Sequence, residues 1–148
     1  MEQKTIDLVV KAIHEKMPAY IQTLSDLVKI PSISFDNFDQ KHVLDSAEKV
    51  KELFLQAGLT NVQFLLPPSG RPSVYGESLT SPDKPTVLLY AHHDVQPPMR
   101  EALWNTKPFE ASLQGDRLYG RGTADEEIPS PIAGIAFTSM PSSCPYLT

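Results

Sequence analysis

The chain has 148 residues, a length that suits one ordinary domain, and its formal net charge of −5 with scattered basic residues argues against a nucleic-acid-binding surface. Its single cysteine, Cys144, excludes a disulfide framework and a Cys-rich zinc module, and favours a reducing, cytoplasmic compartment. Neither a signal-peptide pattern nor an apolar run of membrane-spanning length is visible in the sequence, so we expect no membrane association.

Two amphipathic helices are predicted at the start of the chain. Between residues 2 and 29 the apolar positions recur at steps of three and four, which is typical of one helix face. Proline removes a hydrogen-bond donor and clashes with the preceding turn, so Pro18 predicts a kink or a restart near Met17. A second apolar stripe, from Val43 to Ala57, predicts a second helix that ends where Gly58 can adopt a left-handed conformation.

The pattern then changes from helical to extended. Short extended runs are expected at residues 61–66, 73–79, 86–91, 109–113 and 117–119. The third run, T-V-L-L-Y-A, is continuously apolar and predicts a strand buried on both faces at the centre of an α/β sheet. The last two runs predict a hairpin around Gly115.

The end of the chain differs in composition from the rest. Residues 128–148 contain no charged side chain and four prolines, so neither an amphipathic helix nor a regular strand is expected there. We expect an irregular tail, with a disordered terminus or a short buried segment at 132–137 as the alternatives. The predicted organisation is one folded unit at 1–127 followed by this tail.

The predicted central strand ends in Ala-His-His-Asp, which offers metal-binding chemistry. Alternate side chains of an extended chain share one face, so His92 and Asp94 are expected to project together at the carboxyl end, where open α/β sheets bind ligands. A neutral imidazole binds Zn²⁺ through one nitrogen while a carboxylate accepts the other N–H. His93 points the other way and is expected to be structural, whereas His14 and His42 are expected at the surface.

A second candidate group is Tyr-Gly-Arg-Gly-Thr-Ala-Asp, at residues 119–125. Its two glycines permit close approach of the backbone, which can aim Asp125 into a cleft as a second metal ligand. The alternative is a glycine-rich turn followed by a solvated Asp-Glu-Glu run. A phosphate-binding P-loop is excluded because no Gly-Lys-Ser/Thr follows.

Four segments in this order resemble one family. They are I-P-S-I-S, V-L-L-Y-A-H-H-D-V-Q-P, L-W-N-T-K-P-F-E and G-D-R-L-Y-G-R-G-T-A-D. Together they are similar to the N-terminal part of the zinc-dependent exopeptidases and deacylases, which include carnosinase-like dipeptidases, carboxypeptidase G-type enzymes, aminoacylase, acetylornithine deacetylase and succinyl-diaminopimelate desuccinylase. The dipeptidase branch looks closest. The resemblance implies an incomplete three-layer α/β catalytic domain of the aminopeptidase-like type, with a mixed central sheet, at residues 1–127.

Three residues match the family's site. The resemblance implies that His92 binds one zinc, that Asp94 orients His92, and that Asp125 bridges two zinc ions, with Co²⁺ or Mn²⁺ as substitutes. In that family the ions polarise an amide carbonyl and activate the attacking water. The implied substrates are dipeptides or N-acyl amino acids, and complete relatives are commonly homodimers.

The resemblance runs from about Ile6 to Asp125 and stops where Glu126, Glu127 and Ile128 depart from the family's pattern. The family's general base, its remaining metal ligands and its dimerisation domain have no counterpart in residues 128–148. Two protein ligands do not close a four-coordinate zinc site, so we expect at most weak zinc binding and no catalysis from this chain alone. Three hypotheses stay open: the N-terminal portion of a di-zinc dipeptidase or deacylase, a non-catalytic module that pairs with a full-length relative, and a product without a function of its own.

Overall fold

The computed structural model describes residues 3–79 and 85–124. In chain order the elements are α1 (Gln3–Val28), α2 (Lys41–Gln56), β1 (Thr60–Leu65), β2 (Ser73–Glu77), a 3₁₀ helix (Glu101–Leu103), β3 (Ser112–Gln114) and β4 (Arg117–Tyr119). The predicted mixed α/β class is therefore confirmed. The predicted tail, residues 128–148, lies outside the described residues.

The first helix is continuous through Pro18. The predicted restart near Met17 is therefore wrong. Pro18 lies on the exposed side of α1, where water can solvate the carbonyl group whose hydrogen bond the proline removes. The helix ends at the buried Val28, and the Ile30 N–H donates to the Leu27 carbonyl at 3.0 Å in the turn that follows. Among the described residues, no helix has the length and apolar character needed to cross a bilayer.

The second helix carries the core of the described structure. Val43 and Ala47, on the predicted apolar stripe, are 1% and 0% exposed. At the C-terminus Gly58 has φ +80°, and its N–H donates to the Leu55 carbonyl at 3.0 Å. This confirms the predicted left-handed helix end, a conformation that glycine adopts without steric cost.

Helix α2 packs against an antiparallel hairpin of β1 and β2. Phe64 faces Val74 in this pairing, and the register is irregular beside Asn61, which has φ +51°. A Cβ placed on Gly76 would lie 2.9 Å from Cδ2 of Phe54. Glycine therefore permits the close approach of β2 to the helix.

The second hairpin confirms another local prediction. β3 and β4 pair antiparallel, with Leu113 opposite Leu118, and Gly115 has φ +63° in the connecting turn. A positive φ in a two-residue hairpin turn is the conformation that glycine favours.

The predicted central strand at 86–91 is wrong for the described structure. No strand is assigned there, and Val87, Leu88 and Tyr90 are 71%, 86% and 76% exposed. A strand is buried only where neighbouring elements cover it. In the described part of the chain, the nearest β-type pairing to this segment is a single parallel bridge between Ile33 and Val95. In place of one mixed central sheet, the described residues form two separate two-stranded antiparallel sheets, β1 with β2 and β3 with β4.

Candidate metal centre

His92 and Asp94 lie together directly after the exposed apolar segment. Nδ1 of His92 is 2.9 Å from the backbone carbonyl oxygen of Asp94 and 3.3 Å from its carboxylate Oδ1. A carbonyl oxygen can only accept a hydrogen bond, so Nδ1 carries the hydrogen and donates. The lone pair of the neutral ring is then on Nε2, the nitrogen with which this histidine could bind a metal.

The Asp94 carboxylate is also held from its other oxygen. The Ser34 hydroxyl donates to Oδ2 at 2.5 Å. The guanidinium of Arg71 in turn donates to the Ser34 carbonyl at 3.1 and 3.2 Å and pairs with Asp36. One carboxylate oxygen therefore faces the imidazole, while the other is fixed by Ser34, whose own backbone is held by the Arg71 guanidinium.

His93 has the structural role that the sequence predicts. Its Nε2 donates to the Pro72 carbonyl at 3.0 Å, and its Nδ1 lies 3.2 Å from the Ser46 hydroxyl. Both ring nitrogens therefore have protein partners, which is the arrangement of a packed, non-ligating histidine.

The main chain around His93 is fixed by two serines that sequence reasoning did not single out. Ser32 and Ser46, both 2% exposed, lie with their hydroxyls 3.0 Å from the His93 carbonyl oxygen. The Val95 N–H donates to the Ser32 carbonyl at 3.0 Å. For Ser32 the sequence signal was the I-P-S-I-S motif at residues 30–34, which carries the family resemblance and contains both Ser32 and Ser34.

The glycine-rich turn lies against the same segment. Gly122 has φ +83°, and a Cβ placed on it would be 2.9 Å from Cγ1 of Val95. The Arg121 N–H donates to the Pro108 carbonyl at 2.6 Å, which fixes the turn on its other side. Asp125, which follows this turn, lies outside the described residues, so its role as a ligand stays a prediction.

The described residues supply only part of a metal site. Within 3–79 and 85–124 no group of three or more His, Cys, Asp and Glu side chains could hold a metal ion. His14 lies exposed on α1, and Nδ1 of His42 is 3.8 Å from the Asp45 carboxylate on the surface of α2. The imidazole of His92 beside a carboxylate fits the donor chemistry of zinc, and further ligands are needed to complete the coordination.

A loop next to the candidate centre is fixed by its tryptophan. Nε1 of Trp104 donates to the Pro98 carbonyl at 2.9 Å, and the Arg121 guanidinium lies 4.9 Å from the ring centroid. The tryptophan therefore contacts both its own loop and the glycine-rich turn, as a structural anchor would. Between this loop and the second hairpin is a groove of about 890 Å³.

Comparison with known proteins decides the family. Residues 88–139, a stretch that includes His92, Asp94 and Asp125, match the model of peptidase family M20/M25/M40. The Cys-Gly metallodipeptidase DUG1 of Candida albicans is 32% identical over 130 residues, which are 79% of this chain and 27% of that protein. This chain belongs to that peptidase family. The predicted resemblance is thereby confirmed.

Two further dipeptidases are similar to this chain. The Beta-Ala-His dipeptidase of Rattus norvegicus is 27% identical over 136 residues, which cover 84% of this chain and 28% of that protein. The solved structure of the di-peptidase Dug1p from Saccharomyces cerevisiae matches with a TM-score of 0.75 at 27% identity, over 90% of this chain and 30% of that one. The chain spans less than a third of the length of these relatives.

Proposed function

We propose that this chain supplies part of the zinc site of an amide-hydrolysing M20/M25/M40 peptidase. In this proposal His92 and Asp125 are zinc ligands, Asp94 orients His92, and Asp125 bridges the two ions of the complete site. The substrates of that complete site are dipeptides or N-acyl amino acids. The names of the relatives, a Cys-Gly metallodipeptidase and a Beta-Ala-His dipeptidase, support a dipeptide substrate.

The contact between Gly122 and Val95 carries this proposal. It holds the glycine-rich turn that precedes Asp125 against Val95, which follows His92 and Asp94 in the sequence. Asp125 is three residues beyond Gly122, and His92 is three residues before Val95. Because three residues span at most about 10 Å, the length of chain on each side of this contact permits both side chains to reach one cation.

The hydrogen bonds of His92 supply the second support. Its Nδ1 donates to the Asp94 carbonyl, which fixes the tautomer, and in this proposal Nε2 is the ligand atom. The adjacent carboxylate makes the imidazole a better donor to a cation. Zinc held there would polarise an amide carbonyl and activate water for attack. Hydrolysis in this proposal also needs the general base that the resemblance implies for the complete site.

The proposal also includes the architecture of the complete domain and its cellular location. The proposed fold is that of part of a three-layer α/β catalytic domain of the aminopeptidase-like type. The TM-score of 0.75 to the Dug1p structure supports this. We also propose a cytoplasmic location, which the single cysteine, Cys144, supports. Homodimer formation is proposed only for complete relatives.

The second candidate function is a non-catalytic module that pairs with a full-length relative. The favouring observation is the exposure of the large apolar side chains at 87–90. An exposed apolar segment that pairs with no strand among the described residues can pair with a strand of another chain. Analytical ultracentrifugation of the chain with a full-length relative tests this. A defined heterocomplex that Leu88→Lys abolishes supports the module, and separate sedimentation of the two chains rejects it.

Calorimetric titration of the full 148-residue chain with zinc tests the first function. The wild type is expected to bind weakly, and His92→Ala and Asp125→Ala are each expected to weaken the Kd at least tenfold, in the range observed when ligand geometry is lost. His14→Ala, at an exposed position on α1, is the matched control and is expected to leave binding unchanged. Wild-type affinity in both His92→Ala and Asp125→Ala would show that the ligand assignment is wrong.

A further inference from the structure

We propose that Ser34 is a positioning residue for the metal site, acting through Asp94 on His92. The inference rests on the proposed function in one respect, the assignment of His92 as the ligand. It adds a residue sixty positions away in the sequence from the carboxylate that it holds.

The hydroxyl of Ser34 sets the orientation of the Asp94 carboxylate. It donates to Oδ2 at 2.5 Å, while Oδ1 of the same carboxylate lies 3.3 Å from Nδ1 of His92. A carboxylate held at one oxygen by a hydroxyl presents its other oxygen in a fixed direction. The Asp94 side chain is 37% exposed, so packing alone does not restrict it as a buried side chain would be restricted.

Ser34 is itself carried on a well-fixed piece of chain. Its neighbour Ile33 is 4% exposed and forms the parallel bridge to Val95. The Arg71 guanidinium donates twice to the Ser34 carbonyl. The hydroxyl is therefore presented from a backbone that is attached to the metal-binding segment on one side and to Arg71 on the other.

Removal of this hydroxyl has a defined consequence. In Ser34→Ala the Oδ2 atom loses its donor, and the Asp94 side chain can rotate about χ1 toward water. The His92 ring keeps its bond to the Asp94 backbone carbonyl but loses the fixed carboxylate beside Nδ1. The imidazole then samples orientations in which Nε2 does not face the cation, and metal affinity falls.

The first measurement needs no metal. Three-bond couplings to Cγ of Asp94 in the metal-free, full-length chain report the χ1 rotamer. We expect a single rotamer in the wild type and in Ser34→Thr, which keeps the hydroxyl, and averaged couplings in Ser34→Ala. Ser69→Ala, at an exposed turn serine, is the matched control and is expected to behave as the wild type. A single Asp94 rotamer in Ser34→Ala would overturn the proposal.

The second measurement is zinc affinity by calorimetry on the same four proteins. Ser34→Ala is expected to weaken the Kd about tenfold, and Ser34→Thr to restore it to within about twofold of the wild type. Averaged Asp94 couplings with unchanged zinc affinity in Ser34→Ala would also overturn the proposal, because Ser34 would then order the loop without positioning the ligand.

The two proposals fail in different ways. If His92→Ala leaves zinc binding unchanged, the ligand assignment is wrong, and the role of Ser34 toward the metal falls with it. If His92→Ala weakens binding and Ser34→Ala does not, the metal site stands and the positioning role of Ser34 is rejected. Circular dichroism of each variant confirms that a loss of affinity is not a loss of fold.

Discussion

The hydroxyl of Ser46, on the buried face of α2, lies 3.0 Å from the main-chain carbonyl oxygen of His93. The same hydroxyl is 3.2 Å from Nδ1 of the His93 ring. The core helix is thus attached directly to the residue between His92 and Asp94. Stability of the core and geometry of the candidate metal centre are therefore linked through one side chain.

We predict that Ser46→Ala lowers the free energy of unfolding by about 1–2 kcal/mol, because Nδ1 of His93 loses its partner and the His93 carbonyl oxygen keeps only the Ser32 hydroxyl of its two hydroxyl partners. Urea denaturation followed by circular dichroism measures the change. Ser73→Ala, at an exposed residue of β2, is the control and is expected to change stability by less than about 0.5 kcal/mol. Equal stability of the two variants would contradict the role of Ser46.

The core of the described structure can be tested at two adjacent residues of α2. Val43 is 1% exposed and Leu44 is 52% exposed. Val43→Ala is expected to cost about 1.5–3 kcal/mol through lost burial and a residual cavity, and Leu44→Ala less than about 1 kcal/mol. Thermal and urea unfolding measure both. A larger loss for Leu44→Ala would mean that α2 buries a different face.

Two glycines with positive φ separate backbone strain from close contact. Gly122 (φ +83°) faces Val95, whereas a Cβ on Gly115 (φ +63°) would meet nothing within 4 Å. Gly115→Ala is expected to cost about 1 kcal/mol from strain alone, and Gly122→Ala about 2–3 kcal/mol, because its Cβ also displaces Val95. Gly122→Ala is further expected to shift the amide resonances of 92–95, which a heteronuclear NMR spectrum records. Unshifted resonances would contradict the Gly122 contact.

Tyr75 is expected to affect how the free energy of unfolding changes with pH in the alkaline range. Its hydroxyl donates to the Glu77 carboxylate, which raises the pKa of the Tyr75 phenol above its ordinary value. A raised pKa stabilises the fold fully below the ordinary tyrosine pKa, and this contribution is lost as the pH rises through the folded-state pKa. Glu77→Gln is expected to lower the pKa of Tyr75 in an NMR titration, whereas Glu110→Gln is expected to leave it unchanged. An unaltered Tyr75 titration in Glu77→Gln would reject this pairing.

Local features of the fold were predictable from the sequence. The helix end at Gly58 and the hairpin turn at Gly115 depend on a few adjacent residues and on the conformational freedom of glycine, which the sequence shows directly. At Pro18 the restart near Met17 is wrong for the same reason, because a local rule about proline does not include the exposure that lets α1 continue, whereas the alternative of a kink stays a prediction.

Features that depend on distant partners were not predictable in the same way. A continuous apolar run at 86–91 predicts a buried strand, but burial requires neighbouring elements that the described residues do not place beside it. His92 and Asp94 lie together, although the strand from which the sequence predicted this is not formed. The bond from Ser34 to Asp94 joins residues sixty positions apart, and no spacing rule reaches that far.

The most direct test of the metal centre is paramagnetic broadening by Mn²⁺ in the full-length chain. At a small fraction of one equivalent, we predict that the ring signals of His92 and the carboxylate signal of Asp125 broaden together, while the ring signals of His14 and His42 stay sharp. Broadening of His92 without Asp125, or equal broadening of all histidines, would contradict the claim that these two side chains bind the same ion.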